Sequence, residues 1–270
     1  MKNKFNYSNR TVNNFKSSLD TDGWVVYENA IEPEFIDRIN EDIEDGYICR
    51  RNIQKKNGIS ADMDGTLHHL LERDNFSIPL LERMYCHDEI TQYFGGKYIL
   101  NGMNGVIHSK QERPYLSNMH RDIRTFMIET KILLQMIIAL DDFTLQNGAT
   151  HFLSGSHKIA LRPDETFFYT NADRATVLKG SIIVFDSNLW HAAGENFTAK
   201  PRRALTLGFT RPFFKQQMDY SRFLGYDFVA GLKPELRQVI GYNARVPANL
   251  NEYYQPPHLR MYQRDQEAEF

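Results

Sequence analysis

From Lys97 to about Arg211 the chain breaks into short runs of β-forming residues divided by turn signals, and this texture constrains its fold more than any other feature. Strands are expected near 98–107, 117–123, 131–140, 149–153, 174–178, 181–185, 188–192 and 202–210. Asn147-Gly148 and Lys179-Gly180 mark turns between them. Many short strands with such spacing build a barrel or a sandwich. Their number suits a double-stranded β-helix, so the expected class is mainly β with helical additions: a cupin-like jelly roll flanked by N-terminal and C-terminal helices.

The flanks read differently. Residues 1–96 are mainly helical with one early strand, Trp24-Val25-Val26-Tyr27. Pro33 suits the first turn of a helix, where its missing N–H costs nothing, and Phe35, Ile36, Ile39 and Ile43 follow at helical spacing. Another amphipathic stretch runs from Ile78 to Phe94 and stops at Gly95-Gly96. Between them, Asn52 to Thr66 is polar and aperiodic; it reads as a loop and as a lid, with Ser109 to Tyr115 as the facing wall. Beyond Pro212, Leu224, Phe228, Leu232, Leu236 and Ile240 recur every four residues, with Gly231 and Pro234 splitting the run. Pro256-Pro257 begins an extended tail. With no repeat and no linker, 1–270 reads as a single domain whose jelly-roll core is 97–211, extended by helices over 212–270.

A length of 270 residues is long for an average domain but ordinary for a β-barrel carrying helices. The formal net charge of −2 lacks the basic excess that a nucleic-acid or anionic-membrane surface needs. Two cysteines, Cys49 and Cys86, form no disulfide framework and point to a reducing compartment. Met1 to Tyr7 has no signal-peptide apolar region, and the longest apolar stretch, Ile132 to Leu140, contains Gln135 and is too short to span a bilayer. A soluble cytoplasmic protein is expected.

His120-Arg121-Asp122 lies inside the β region. In an extended strand, residues i and i+2 share a face, so His120 and Asp122 aim an imidazole and a carboxylate at one point while Arg121 points away. Alone this tripeptide means little. One more histidine would complete a 2-His-1-carboxylate triad, which leaves coordination positions open on Fe(II). His191 supplies it, following the apolar strand Ser181 to Phe185. Eleven residues later comes Arg202, opening a strand to Phe209. Alternation puts Arg202, Ala204, Thr206 and Gly208 on one face and Arg203, Leu205, Leu207 and Phe209 on the other. The first face is small and polar with a guanidinium at its end, suited to a ligand carrying a carboxylate.

These residues resemble the phytanoyl-CoA dioxygenase family of Fe(II)- and 2-oxoglutarate-dependent oxygenases. The clearest portion runs from Asn118 through Phe209, including Leu140-Asp141-Asp142, Asn147 to Thr150 and Ser154 to Lys158. The resemblance implies iron held by His120, Asp122 and His191, and 2-oxoglutarate held by Arg202. It further implies O2 as oxidant, release of succinate and CO2, and oxidation of an unactivated C–H of a small molecule, normally to an alcohol. Ala193 departs from the family, several members of which carry Ser two residues after the distal His. Asp122 disfavours halogenation, for which related enzymes put a small residue at this position.

Other polar residues are weaker candidates. Gln135 is the one polar residue of an apolar strand; it either bonds neighbouring backbone or lines the cosubstrate pocket. Asn118 shares the face of His120, as donor to cosubstrate or as support for a ligand. Thr150 is a further cosubstrate donor. Arg124 suits an anionic group on the substrate, or a surface ion pair. His108 could reach substrate, with a solvated role as the plainer alternative. His151 faces away from Thr150, Trp190 away from His191, and His68-His69 reads as surface. Asp141-Asp142 reads as a strand end before a turn rather than an acid–base dyad. Desaturation, epimerisation or ring formation would use the same residues. A non-catalytic jelly-roll binding protein or a cupin-type hydrolase remains as an alternative class; a broken triad would mark the first, and the second has no need of Arg202.

Overall fold

The computed structural model describes residues 2–59, 63–110 and 118–266. Among these, ten strands are formed: β1 (Lys4–Asn6), β2 (Trp24–Glu28), β3 (Thr66–Leu67), β4 (Ile99–His108), β5 (Leu133–Ala139), β6 (Thr150–Phe152), β7 (Asp173–Ala175), β8 (Ile182–Asp186), β9 (His191–Ala192) and β10 (Arg202–Thr210). The helices are α1 (Val12–Thr21), α2 (Pro33–Lys56), α3 (Ser77–Glu82), α4 (His87–Phe94), α5 (Glu165–Asn171), α6 (Tyr220–Leu224), α7 (Tyr226–Ala230), α8 (Pro234–Ile240) and α9 (Leu250–Tyr253).

A seven-stranded sheet in the order β1-β2-β8-β5-β10-β4-β3 forms one layer, and β7-β6-β9 forms a smaller second sheet. All pairings within these sheets are antiparallel except β1 on β2. The period-two alternation of β10 explains the layering. Leu205, Leu207 and Phe209 join Leu134, Met136 and Ile138 of β5 in an apolar cluster with the helices, where Phe35, Ile36, Ile39 and Ile43 of α2 also sit. The opposite face sends Ala204, Ala139, Ile137, Ile183 and Phe185 towards Phe152 and Ala175 of the small sheet. Trp24 stacks on Phe152 with ring centroids 4.9 Å apart, and its indole donates to Ser154 Oγ at 2.8 Å. This is the mainly β, helix-flanked jelly roll expected, with a space left between the two sheets.

Several local expectations hold. β10 runs from Arg202 to Thr210, Pro33 opens α2 at its first turn, and Gly95 ends α4 in the left-handed region at φ 66°. Gly148 has φ 89°, and a Cβ there would lie 2.5 Å from the Gly194 carbonyl oxygen, so the Asn147-Gly148 turn requires glycine. Gly231 and Pro234 do separate α7 from α8, although Gly225 adds an earlier break.

Others are corrected. The stretch 78–94 is two helices, because Met84 and Cys86 take positive φ of 48° and 57° and end the first one. The supposed loop from Asn52 begins inside α2, whose helix continues to Lys56, and it ends in β3 at Thr66. Residues 60–62 of that lid, and 111–115 of the wall placed opposite it, lie outside the described residues. The strand expected over 117–123 is a single bridge, His120 with His191. The strand expected over 188–192 shrinks to β9, because Asp186 Oδ1 accepts the Asn188 N–H at 2.9 Å and turns the chain.

Candidate metal centre

The reciprocal bridge between His120 and His191, with both N–H···O distances 3.0 Å, sets the two imidazoles side by side. Their ring centroids are 4.2 Å apart. Asp122, two residues on, completes the group: its carboxylate oxygens lie 3.6 Å from His120 Nε2 and 3.7 Å from His191 Nε2. One ligand atom from each residue lies within 4.8 Å of the others, the arrangement of a metal centre. The i, i+2 relation inferred from the sequence thus holds without a regular strand.

Both rings are oriented from behind. His120 Nδ1 is 2.8 Å from the Asn118 carbonyl and His191 Nδ1 is 2.9 Å from the Leu189 carbonyl. A carbonyl can only accept, so each Nδ1 carries the proton and each Nε2 lone pair faces Asp122. Such outer bonds fix the tautomer a metal requires. His120 Nε2 is buried with no hydrogen-bond partner, which fits a cation between the three side chains.

Charge follows the same logic. Burial, reinforced by His120, lowers the pKa of His191 to about 4, so it is a neutral imidazole at neutral pH. For His120 burial pulls downward, but the Asp122 carboxylate outweighs it and leaves the value raised. Burial would raise Asp122, yet His191, His120 and a hydrogen bond from Gln135 hold it below the usual range. The carboxylate is ionised, and Gln135 belongs to its support.

The centre opens into a cavity of about 650 Å³ bounded by the inner face of the large sheet. Arg202, Ala204, Thr206 and Gly208 all line it, as alternation required. Arg202 is 3 % exposed, lies 4.2 Å over the Phe143 ring, and has a buried Nε without a partner. Burial lowers its pKa to about 10, which still leaves it charged at neutral pH. Among the described residues this guanidinium forms no ion pair, although the charge of Asp141 partly offsets its burial; facing a cavity, it can take an anion. Arg203 points outward and pairs bidentately with Asp141 at 3.0 and 2.9 Å.

Among the weaker candidates, Thr150, Gln135 and Arg124 line the cavity, with Arg124 exposed. Asn118 contributes its carbonyl to His120, while its side chain is exposed and does not line the cavity. His108 is neither solvated nor in this cavity. It is 1 % exposed, contacts the Gly194 carbonyl through Nε2 at 2.8 Å, and lines a separate cavity of about 530 Å³ with His151 and Arg174. Alternation alone puts His108 on the face of its cross-strand partner Arg202; its place at the end of β4, against the Gly148 turn, carries it into the second cavity instead. His68, read as surface, lines the metal cavity. Asn104 and Gln217 line it as well and went unrecognised; Asn104 was findable as the cross-strand partner of Thr206, whereas nothing local marks Gln217.

Comparison with known proteins agrees with this geometry. The sequence model described as phytanoyl-CoA dioxygenase matches residues 19–204. An uncharacterised protein of Mycobacterium tuberculosis is 42 % identical over 147 residues, 54 % of this chain and 54 % of that protein. The chain thus aligns with about half the length of that relative. A fungal protein named dioxygenase cdmA, from Talaromyces verruculosus, is 22 % identical over 256 residues, covering 84 % of this chain and 82 % of its own. The structure of EctD from S. alaskensis, determined with 2-oxoglutarate and 5-hydroxyectoine, superimposes with TM-score 0.56 at 18 % identity, covering 74 % of this chain and 76 % of that one. AviO1 from Streptomyces viridochromogenes gives 0.53 at 21 % identity, over 73 % and 93 %. Among the described residues, no helix is long and apolar enough to cross a membrane.

Proposed function

The chain belongs to the phytanoyl-CoA dioxygenase family, and from that premise we propose that it is an oxygenase that oxidises a C–H bond of a small metabolite using Fe(II), 2-oxoglutarate and O2. The observation that carries this reading is the pairing of two features in one cavity: three side chains placed to hold a metal, and a buried guanidinium that forms no ion pair among the described residues.

In this reading His120 and His191 bind through Nε2 and Asp122 through its carboxylate, leaving positions open for cosubstrate and oxygen. Iron and 2-oxoglutarate together supply the oxidising chemistry, with succinate and CO2 as by-products. Everything else is the work of the protein. Arg202 pairs with the distal carboxylate of 2-oxoglutarate, and its burial strengthens that contact. Thr150, 5 % exposed, offers a hydroxyl within the same cavity. Gln135 holds the Asp122 carboxylate in orientation. The carbonyls of Asn118 and Leu189 keep both imidazoles in the ligating tautomer. Arg124, exposed at the edge of the cavity, suits an anionic group on the substrate. Hydroxylation is the simplest outcome; desaturation, epimerisation or ring closure would need the same groups.

Calorimetry under anaerobic conditions tests the assignment. The wild type should bind Fe(II) and then 2-oxoglutarate, and should release succinate once air is admitted. Asp122→Ala should lose Fe(II) binding and succinate release while keeping the circular dichroism of the folded chain. Wild-type turnover by Asp122→Ala would sink the triad. A wild type that binds neither Fe(II) nor 2-oxoglutarate would favour a binding protein on the same fold.

A further inference from the structure

Beside the metal centre the cavity floor is carried by two glycines with side-chain amides over them. Gly102 of β4 and Gly208 of β10 are direct cross-strand partners, and both line the cavity. Neither takes a positive φ, so the turn chemistry that usually demands glycine is absent, and what glycine supplies here is room for the side-chain amides packed over it. Three carboxamides rim the patch. A Cβ on Gly102 would lie 3.0 Å from Gln217 Oε1 and 3.7 Å from Asn104 Nδ2, and one on Gly208 would lie 3.2 Å from Gln135 Oε1. Gln135 bonds Asp122, which ties the patch to the metal ligands.

The bonding left over is specific. Asn104 Oδ1 accepts the His69 N–H at 3.0 Å, which leaves its NH2 for a ligand. His68 has a lowered pKa, from burial and then the charge of Arg50, so its imidazole offers one donor and one acceptor. Thr206 adds a hydroxyl on the same face. Among the described lining residues, Asp122 is the single carboxylate, so nothing remains to pair with a cation. Of the lining cations, Arg202 is taken by the cosubstrate, Arg121 is engaged with the carbonyls of Ser156 and Ala160 at 3.0 and 3.2 Å, and Arg124, exposed at the cavity edge, is left for a part of the substrate outside the patch. A long acyl chain would strand the amides without partners. A hydroxyl both donates and accepts, and so meets a carboxamide in either sense.

We infer that this patch receives a neutral, polyhydroxylated ring, a saccharide or cyclitol unit, as the portion of the substrate presented to the metal centre; the inference rests on the oxygenase reading above. Asn104 and Gln217 bond its hydroxyls, and Gly102 and Gly208 give these amides and Gln135 the room to face it.

Saturation-transfer NMR on the full chain tests this with three panels: methyl glycosides and cyclitols, quaternary-ammonium metabolites, and medium-chain fatty acids. Binding is expected from the first panel alone. Gly102→Ala and Asn104→Leu should each weaken the strongest hit at least tenfold, while Ni(II) and 2-oxoglutarate binding by calorimetry stays unchanged. Gly102→Ala guards against misfolding, since its Cβ meets side-chain amides, Gln217 at 3.0 Å and Asn104 at 3.7 Å, rather than backbone. Hits confined to the other panels, or none from the first, overturn the substrate class. Polyhydroxyl binding that survives both variants overturns the location. Wild-type chain that binds the hit but neither Ni(II) nor 2-oxoglutarate would uphold the saccharide site and sink the cofactor reading instead.

Discussion

The two walls of the cavity are held by different means. On the sheet side, β10 pairs with β4 from Arg202 onward and with β5 from Ala204 onward, so every side chain from Arg202 to Gly208 is aimed by register. On the metal side, His120 is joined to His191 by one bridge, and the next backbone contact, Ile123 N–H to the Ser187 carbonyl, stretches to 3.4 Å. Arg121 fastens that segment instead. Its guanidinium lies 4.6 Å from the Trp190 ring centre and 4.9 Å from that of Phe126, and bonds the carbonyls of Ser156, Ile159 and Ala160. A ladder protects orientation through many weak backbone bonds, so losing one side chain leaves the rest aimed. A segment held by one arginine has no such reserve.

The largest test of that contrast uses adjacent arginines on the sheet side. Arg202→Ala removes a buried cation from the cavity and should weaken 2-oxoglutarate binding by about 2–5 kcal/mol, a factor of roughly thirty or more. Arg203→Ala breaks an outward, part-exposed pair with Asp141 and should cost about 1 kcal/mol of stability or less, with cosubstrate affinity nearly kept. Equal losses in a 2-oxoglutarate titration would mean that register does not separate the two.

Arg121→Ala probes the other wall. Outer partners of metal ligands typically matter by about 10–100-fold in metal affinity, and Arg121 holds the segment that carries two ligands. A tenfold loss of Ni(II) affinity is expected, with the melting transition little changed because the ladder is intact. Unaltered Ni(II) affinity would show that the segment is fixed without it.

Gln135→Leu should have the smallest effect, because it touches both walls and destroys neither. The ladder bonds of β5 are backbone bonds and survive, while Asp122 loses one donor. About 1 kcal/mol, roughly fivefold in Ni(II) affinity, is expected. A loss as large as that of Asp122→Ala would place Gln135 among the groups that form the centre.

Sequence by itself determined whatever depends on neighbours along the chain. The alternation of β10 separated Arg202 from Arg203, the i, i+2 spacing paired His120 with Asp122, Pro33 opened α2, and Asn147-Gly148 made its turn. Each is decided within a few residues by backbone sterics and side-chain period. Only the tertiary structure decided where distant segments meet. It sent His108 into a second cavity, reduced the expected 117–123 strand to one bridge, broke the 78–94 helix at Met84 and Cys86, and brought Gln217 beside Gly102. Those outcomes depend on how sheets and helices pack, and packing joins residues with no pattern linking them along the chain.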